Sequence, residues 1–148
     1  MKLVLLFMTV TSISLMSCAQ NISAKKVPSV VQNAVQAKFT GAADIEWEKK
    51  SDLYEAEFSM GTTDYAAYIN SSGKLIVYKQ DIKDTELPAS VTAAIGKEHA
   101  GFTIDEAEKM EKDGVIYYQV ELEASGKKDK ELVYSADGTI ASTISYIK

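Results

Sequence analysis

The sequence predicts an α+β fold made by tandem duplication of one unit, a helix followed by a four-stranded antiparallel meander. Three observations predict it. Val27-Pro28-Ser29-Val30-Val31 returns 60 positions later as Leu87-Pro88-Ala89-Ser90-Val91. The alternating run Tyr54-Glu55-Ala56-Glu57-Phe58 returns at an offset of 64 as Tyr118-Gln119-Val120-Glu121-Leu122. The hairpin segment from Tyr68 to Leu75 returns at an offset of 65 as Val133 to Ile140, with Asn70–Gly73 matched by Ser135–Gly138. A slowly growing offset is what a few inserted loop residues in the second copy require.

In the first unit, Pro28 suits a helix start, where its missing N–H is not needed. Val27, Val31, Ala34, Val35 and Phe39 then recur at helical spacing and Gly41 ends the run, so a helix is expected over 28–39. The period changes to two over Ala43–Lys50 and again over Leu53–Met60, with turns at 49–52 and Gly61-Thr62. Thr63–Asn70 is rich in Tyr and small residues, Asn70–Gly73 reads as a hairpin loop, and Lys74–Gln80 gives the fourth strand. Turns this short imply antiparallel neighbours.

The second unit follows a polar connector, 81–86. Its helix is expected over 88–99, with Val91, Ala94 and Ile95 matching Val31, Ala34 and Val35, and with Gly96 costing it about 1 kcal/mol against Ala. A strand over 102–112 has no clear register. Asp113-Gly114 is a two-residue hairpin signal, and Val115–Ala124 alternates cleanly.

Two helices can cover only one face of such a sheet. The apolar set Ile45, Trp47, Tyr54, Ala56, Phe58, Ile69, Ile116, Tyr118, Val120, Leu122, Leu132, Tyr134, Ile140 and Ile144 should face them. The opposite, open face should carry Glu46, Glu48, Glu55, Glu57, Tyr68, Tyr78, Tyr117, Gln119, Glu121 and Glu123.

Residues 1–17 read as a secretory signal: Lys2 precedes an apolar run that is too short to span a membrane. Leu15-Met16-Ser17-Cys18 resembles a bacterial lipoprotein box, which makes Cys18 the lipidation site. The alternative is ordinary cleavage after Ser17-Cys18-Ala19. Either route exports the chain, and the lipid route anchors it to the outer membrane facing the periplasm. Residues 18–26 form a tether, and 27–148 form one domain with repeats at 27–80 and 87–148. As the only cysteine, Cys18 has no disulfide partner within the chain.

The 148 residues are 46% hydrophobic and 25% charged, as in an ordinary globular domain with a real core. All 16 basic residues are Lys. Removing the first 17 residues leaves 15 basic against 21 acidic groups, a formal −6. An acidic domain without Arg is a poor nucleic-acid binder, because phosphate neutralisation dominates that affinity.

Trp47, Tyr54-x-Ala56-x-Phe58, the Asn70–Gly73 hairpin, Leu87-Pro88-x-x-Val91, Tyr118-x-Val120-x-Leu122 and Asp137-Gly138, in this order and spacing, resemble the PepSY-like, β-lactamase-inhibitor-like family of exported Bacteroidetes proteins. The resemblance covers about residues 27–148. It implies the tandem-repeat α+β fold of β-lactamase inhibitor proteins and an exported location, and it brings no catalytic residues. A function inferred from such a fold alone is weak.

Enzymatic chemistry finds little support. His99 is the only histidine, so a triad or a His-based metal site has no partners, and a capping or solvent-facing role is the plainer reading. No phosphate-binding Gly-rich loop is present, and no cofactor or metal is expected. Glu55/Glu57 and Glu121/Glu123 lie about 7 Å apart along their strands, but an open face keeps carboxylates hydrated. Exposed Tyr among Glu resembles a protein interface. The expected function is therefore a non-enzymatic binding module of the cell envelope. Glu55, Glu57, Tyr68, Tyr78, Tyr117, Gln119, Glu121 and Glu123 form its partner face, an envelope protein or peptide is the partner, and the membrane is reached only through a lipid at Cys18. The alternative is an inhibitor of a periplasmic or secreted hydrolase that inserts a hairpin, Asn70–Gly73 or Ala136–Gly138, although neither tip carries an aromatic anchor. A third class is a cation- or glycan-binding protein.

Overall fold

Both units open with the same local chemistry. A single 3-10 turn, Ala24–Lys26 or Asp84–Glu86, leads to a buried anchor, Val27 or Leu87, and then to the proline. The carbonyl of Pro28 accepts from the Val31 and Gln32 amides at 3.0 and 3.1 Å, and that of Pro88 from Val91 and Thr92 at 2.9 and 3.1 Å. Helices α1 (Ser29–Lys38) and α2 (Ala89–Glu98) follow, one residue shorter at each end than the spacing predicts. Each buries one pair four residues apart, Val31/Val35 and Val91/Ile95, because those positions share a face.

The computed structural model describes residues 20–141. The strands are β1 (Gln20–Asn21), β2 (Ala43–Lys50), β3 (Leu53–Met60), β4 (Thr63–Asn70), β5 (Leu75–Asp81), β6 (Thr103–Lys112), β7 (Val115–Glu123) and β8 (Lys130–Ser135). They form one antiparallel sheet in chain order, seven long strands with the two-residue β1 at one edge. The repeat is visible in the register. Gln20↔Lys49 and Asn21↔Glu48 recur 60 residues on as Gln80↔Lys109 and Asp81↔Glu108. The Ile22 amide donates to Trp47 O at 2.8 Å, and that of Ile82 to Ala107 O at 3.0 Å. Thus β1 stands to α1 as the end of β5 stands to α2.

The sheet is continuous across the two units through β5–β6. Four of the expected strands occur in the first unit and three in the second. Where the second unit's fourth strand is expected, a single bridge joins Tyr134 to Ile140. The rest of that stretch, with Ile144, lies outside the described residues, as do residues 1–17, expected to be a signal, and Cys18.

Both helices pack on the same face. Val27, Val31, Val35 and Phe39 meet Trp47, Ala56, Phe58, Ala67 and Ile69, while Leu87, Val91 and Ile95 meet Ala107, Val120, Leu122 and Tyr134. The register chain Trp47–Ala56–Ala67–Tyr78–Glu111 puts the two groups on one side. Ile140, expected in this core, is 39% exposed, because it lies at the outer edge next to β8.

Candidate functional site

The face away from the helices is not uniformly wet. At its centre Tyr68, Val77 and Met110 are buried against one another, with Leu53, Ala66, Tyr117 and Val133 packed around them. Neighbouring strands bring them together: Tyr68 pairs with Val77, Lys79 with Met110, and Met110 with Tyr117. Around this apolar patch run carboxylates in cross-strand pairs, Glu46↔Glu57, Glu48↔Glu55 and Glu106↔Glu121↔Glu131.

Glu55 is only 2% exposed. It stays buried because one carboxylate oxygen accepts from the Tyr68 hydroxyl and the other pairs with Lys50 Nζ. Glu48 adds a longer contact to the same ammonium at 3.5 Å. Burial pushes the Lys50 amine down, but the hydrogen bond and charge of Glu55 outweigh it, and the net shift is upward. Lys79 is held in the same way by Glu108 at 2.9 Å, and Gln119 Nε2 donates to Glu131 Oε1 at 2.8 Å.

The outer carboxylates repel one another. Partial burial, then Glu55, Glu48 and Glu46, raise the Glu57 carboxyl, with Lys50 opposing. Asp81 is raised by burial and then by Asp64, against Lys79. Glu121 is raised by desolvation and then by Glu106, Asp105, Asp129 and Glu131. A depression of about 780 Å³ opens where β2 and β4 begin and β3 ends, walled by Asp44, Glu46, Glu57, Asp64 and Asp81 over Ala66. Among the described residues no three His, Cys, Asp or Glu side chains are arranged to hold a metal ion.

Of the residues expected here, Glu57, Tyr117, Gln119, Glu121 and Glu123 lie on the open face. Glu55 and Tyr68 lie on it too, but buried in each other's company. Tyr78 does not. An extra residue in β5, between the pairs Tyr68↔Val77 and Ile69↔Leu75, forms a bulge that reverses the alternation. Leu75 and Tyr78 therefore both turn to the helix face, where Tyr78 packs edge-on to Phe39 at 5.2 Å and donates to Glu111 Oε2 at 2.6 Å. Burial, with Glu111, pushes its phenol up to about 12. Sequence reasoning missed Val77, Met110, Lys50, Lys79, Glu106 and Glu108. Those in β5 and β6 became assignable only once that bulge fixed the register.

The hairpin tips are not free to enter a cleft. Gly73 lies so close to α1 that a Cβ there would sit 2.7 Å from Val30 Cγ2 and 2.9 Å from Val30 O. Gly138 approaches α2 more tightly, with Ser90 O 2.5 Å from the same point, and Ser90 Oγ donates to Ala136 O at 2.6 Å. His99 is the C-cap of α2, as one reading expected. It is half-buried rather than solvent-facing, and its Nδ1 lies 3.2 Å from Lys130 Nζ.

The family model described as "Putative beta-lactamase-inhibitor-like, PepSY-like" matches this chain twice in tandem, over residues 15–77 and 76–142. The chain belongs to this family. No match was found among curated proteins. Solved structures with the same fold include a DUF2874 family protein from Bacteroides uniformis, at TM-score 0.72 and 19% identity, covering 77% of this chain and 86% of that one. A protein described as putative periplasmic from Bacteroides eggerthii gives 0.73 and 18%, covering 78% and 86%. A BLIP-like protein from Bacteroides fragilis gives 0.65 and 18%, covering 76% and 82%. At these identities the likeness is one of fold. No helix among the described residues is long and apolar enough to cross a membrane.

Proposed function

We propose that this PepSY-like protein is an exported, non-enzymatic binding module that holds a protein or peptide of the cell envelope on its open sheet face. The observation that carries the reading is the apolar centre of that face, built from Tyr117, Val133 and their buried neighbours inside an acidic rim. An apolar patch ringed by polar groups is the anatomy of a protein interface. The periplasmic description of the Bacteroides eggerthii relative supports the location. The signal at residues 1–17, a lipid at Cys18 and a fourth strand after Ile140 complete the proposal.

A photo-crosslinking side chain placed at Tyr117 or Gln119, and as a control at Asn33 or Gln36 on the outer side of α1, tests it in the intact envelope. Adducts to a defined protein are expected from the sheet positions only. Equal or absent adducts from both faces would defeat the reading. The family's inhibitor-like description favours a second reading, inhibition of an envelope hydrolase. Because both hairpins are docked on their helices, such an inhibitor would act through the same open face, and a panel of β-lactamases and peptidases assayed at micromolar protein would reveal it.

A further inference from the structure

We propose that the occupant of the open face is a cationic polypeptide segment, Lys- or Arg-bearing with apolar residues between, lying across β3 to β7. This inference rests on the binding-module reading and names its partner's chemistry. Three observations carry it. First, the face keeps apolar surface that the fold does not bury: Tyr117 and Val133 are half-buried beside its centre, and Val115, 50% exposed, continues the same side of β7 toward the β6–β7 turn. A purely ionic ligand would leave that surface uncovered.

Second, the strand carboxylates are sorted by face. The register places Glu46, Glu57, Asp64, Asp81, Glu106 and Glu121 on the open side, and none of the six is ion-paired among the described residues. Two of the lysines on that side, Lys50 and Lys79, are already engaged by Glu48, Glu55 and Glu108, and Lys112 lies at the far end opposite Val115. On the helix side the strands place Lys49, Lys109 and Lys130 against the single carboxylate Glu111. Solubility is served by either sign or by a mixture. A face of one sign creates a field that draws the opposite charge.

Third, the carboxylates crowd one another. Neighbouring carboxylates contribute to the upward shifts of Glu57, Asp81 and Glu121, and an ammonium or guanidinium set among them would relieve that repulsion. The depression walled by Asp44, Glu46, Glu57, Asp64 and Asp81 has room for such side chains. The same charges oppose the other occupants. A second copy meeting face to face would bring like charges together, nucleic acid would be repelled, and no three-ligand cation site exists among the described residues.

The test is amide NMR titration of the whole exported chain with two synthetic peptides of equal length, one alternating Lys and Leu, the other with Glu for every Lys, and with calcium chloride alone. The cationic peptide is expected to shift amides in β3, β4, β6 and β7. The Glu peptide should shift none. Binding should weaken at least about tenfold between about 50 and about 300 mM salt. It should weaken about tenfold again in the Glu57→Gln/Asp81→Asn/Glu121→Gln variant, which keeps the fold because at these positions burial and neighbouring carboxylates outweigh the attraction of Lys50 and Lys79. Equal binding of the two peptides, no binding of the cationic one at millimolar concentration, shifts on the helix side, or saturation by calcium that displaces the peptide would each overturn the inference. If crosslinks from Tyr117 and Gln119 capture a partner through a neutral or acidic segment, the binding module stands and its cationic partner falls.

Discussion

At the end of α1, Phe39 packs into an aromatic group, 4.9 Å from Phe58 and 5.2 Å from Tyr78, with Tyr65 stacked on Phe58. The corresponding cap of α2 is His99, and the positions of Phe58 and Tyr65 are taken by Leu122 and Lys130, paired in the same register. The backbone is the same, Phe39 N to Val35 O and His99 N to Ile95 O, both 2.8 Å. The interior is not. His99 Nε2 and the Tyr134 hydroxyl are buried without a hydrogen-bond partner among the described residues, and Tyr134 stands where the first unit has Ile69. On the open face the contrast reverses. The first unit buries Tyr68 and Glu55 beneath the half-buried Lys50, while the second has the half-buried Gln119 paired with the exposed Glu131. A duplicated frame thus carries two different distributions of polar groups, because main-chain hydrogen bonds and one apolar stripe suffice to specify it.

Four measurements test that contrast. The largest effect is expected at the hairpin–helix contacts. Gly138→Ala puts a Cβ into Ser90 O at a φ of +86°, and Gly73→Ala meets Val30 at +82°. Chemical denaturation should show a loss of about 3–4 kcal/mol for Gly138→Ala and somewhat less for Gly73→Ala. Equal, small losses would mean that the tips are not docked.

Next, Lys50→Met leaves the buried Glu55 without its cation and should cost about 2–3 kcal/mol, while Gln119→Ala in the second unit should stay within about 0.5 kcal/mol. Then His99→Phe, which gives α2 the cap residue of α1, removes a buried ring nitrogen that has no hydrogen-bond partner among the described residues. It should raise stability by about 1 kcal/mol. A loss instead would mean that the Lys130 contact matters more.

The smallest effect concerns pH. Glu57, Asp81 and Glu121 are raised by desolvation first and by neighbouring carboxylates second. The folded chain therefore binds protons more readily than the unfolded chain, and stability should increase as pH falls from neutrality through those raised values toward the unfolded 4.5 and 3.8. Further acidification removes the contribution of Asp137, which Ser135 and Thr139 hold below the usual carboxylate range. The Tm should accordingly peak on the acid side of neutrality, about 1–3 °C above its pH 7 value. The Glu57→Gln/Asp81→Asn/Glu121→Gln variant should flatten that rise.

Much of the fold was legible because it rests on local signals. The Pro openings, the period change after Gly41 and the turn at Asp113-Gly114 each act over a few residues. Asp113 and Gly114, with φ of 51° and 78°, adopt the left-handed pair that a two-residue hairpin demands. The candidate site was legible only where alternation ran undisturbed, as in β3 and β7. Strand β6 resisted because Ala107 and Met110, three apart, face opposite sides of a central strand.

By itself the sequence determined the duplication, the helix faces and the acidic side of β3 and β7, since periodicity is set by backbone geometry alone. Tertiary structure decided which side Tyr78 takes, that Glu55 is buried, and that both hairpin tips rest on helices. Each of these depends on a register, a bulge or a close backbone approach between residues far apart in the chain, and no local pattern encodes a contact whose second partner lies on another strand.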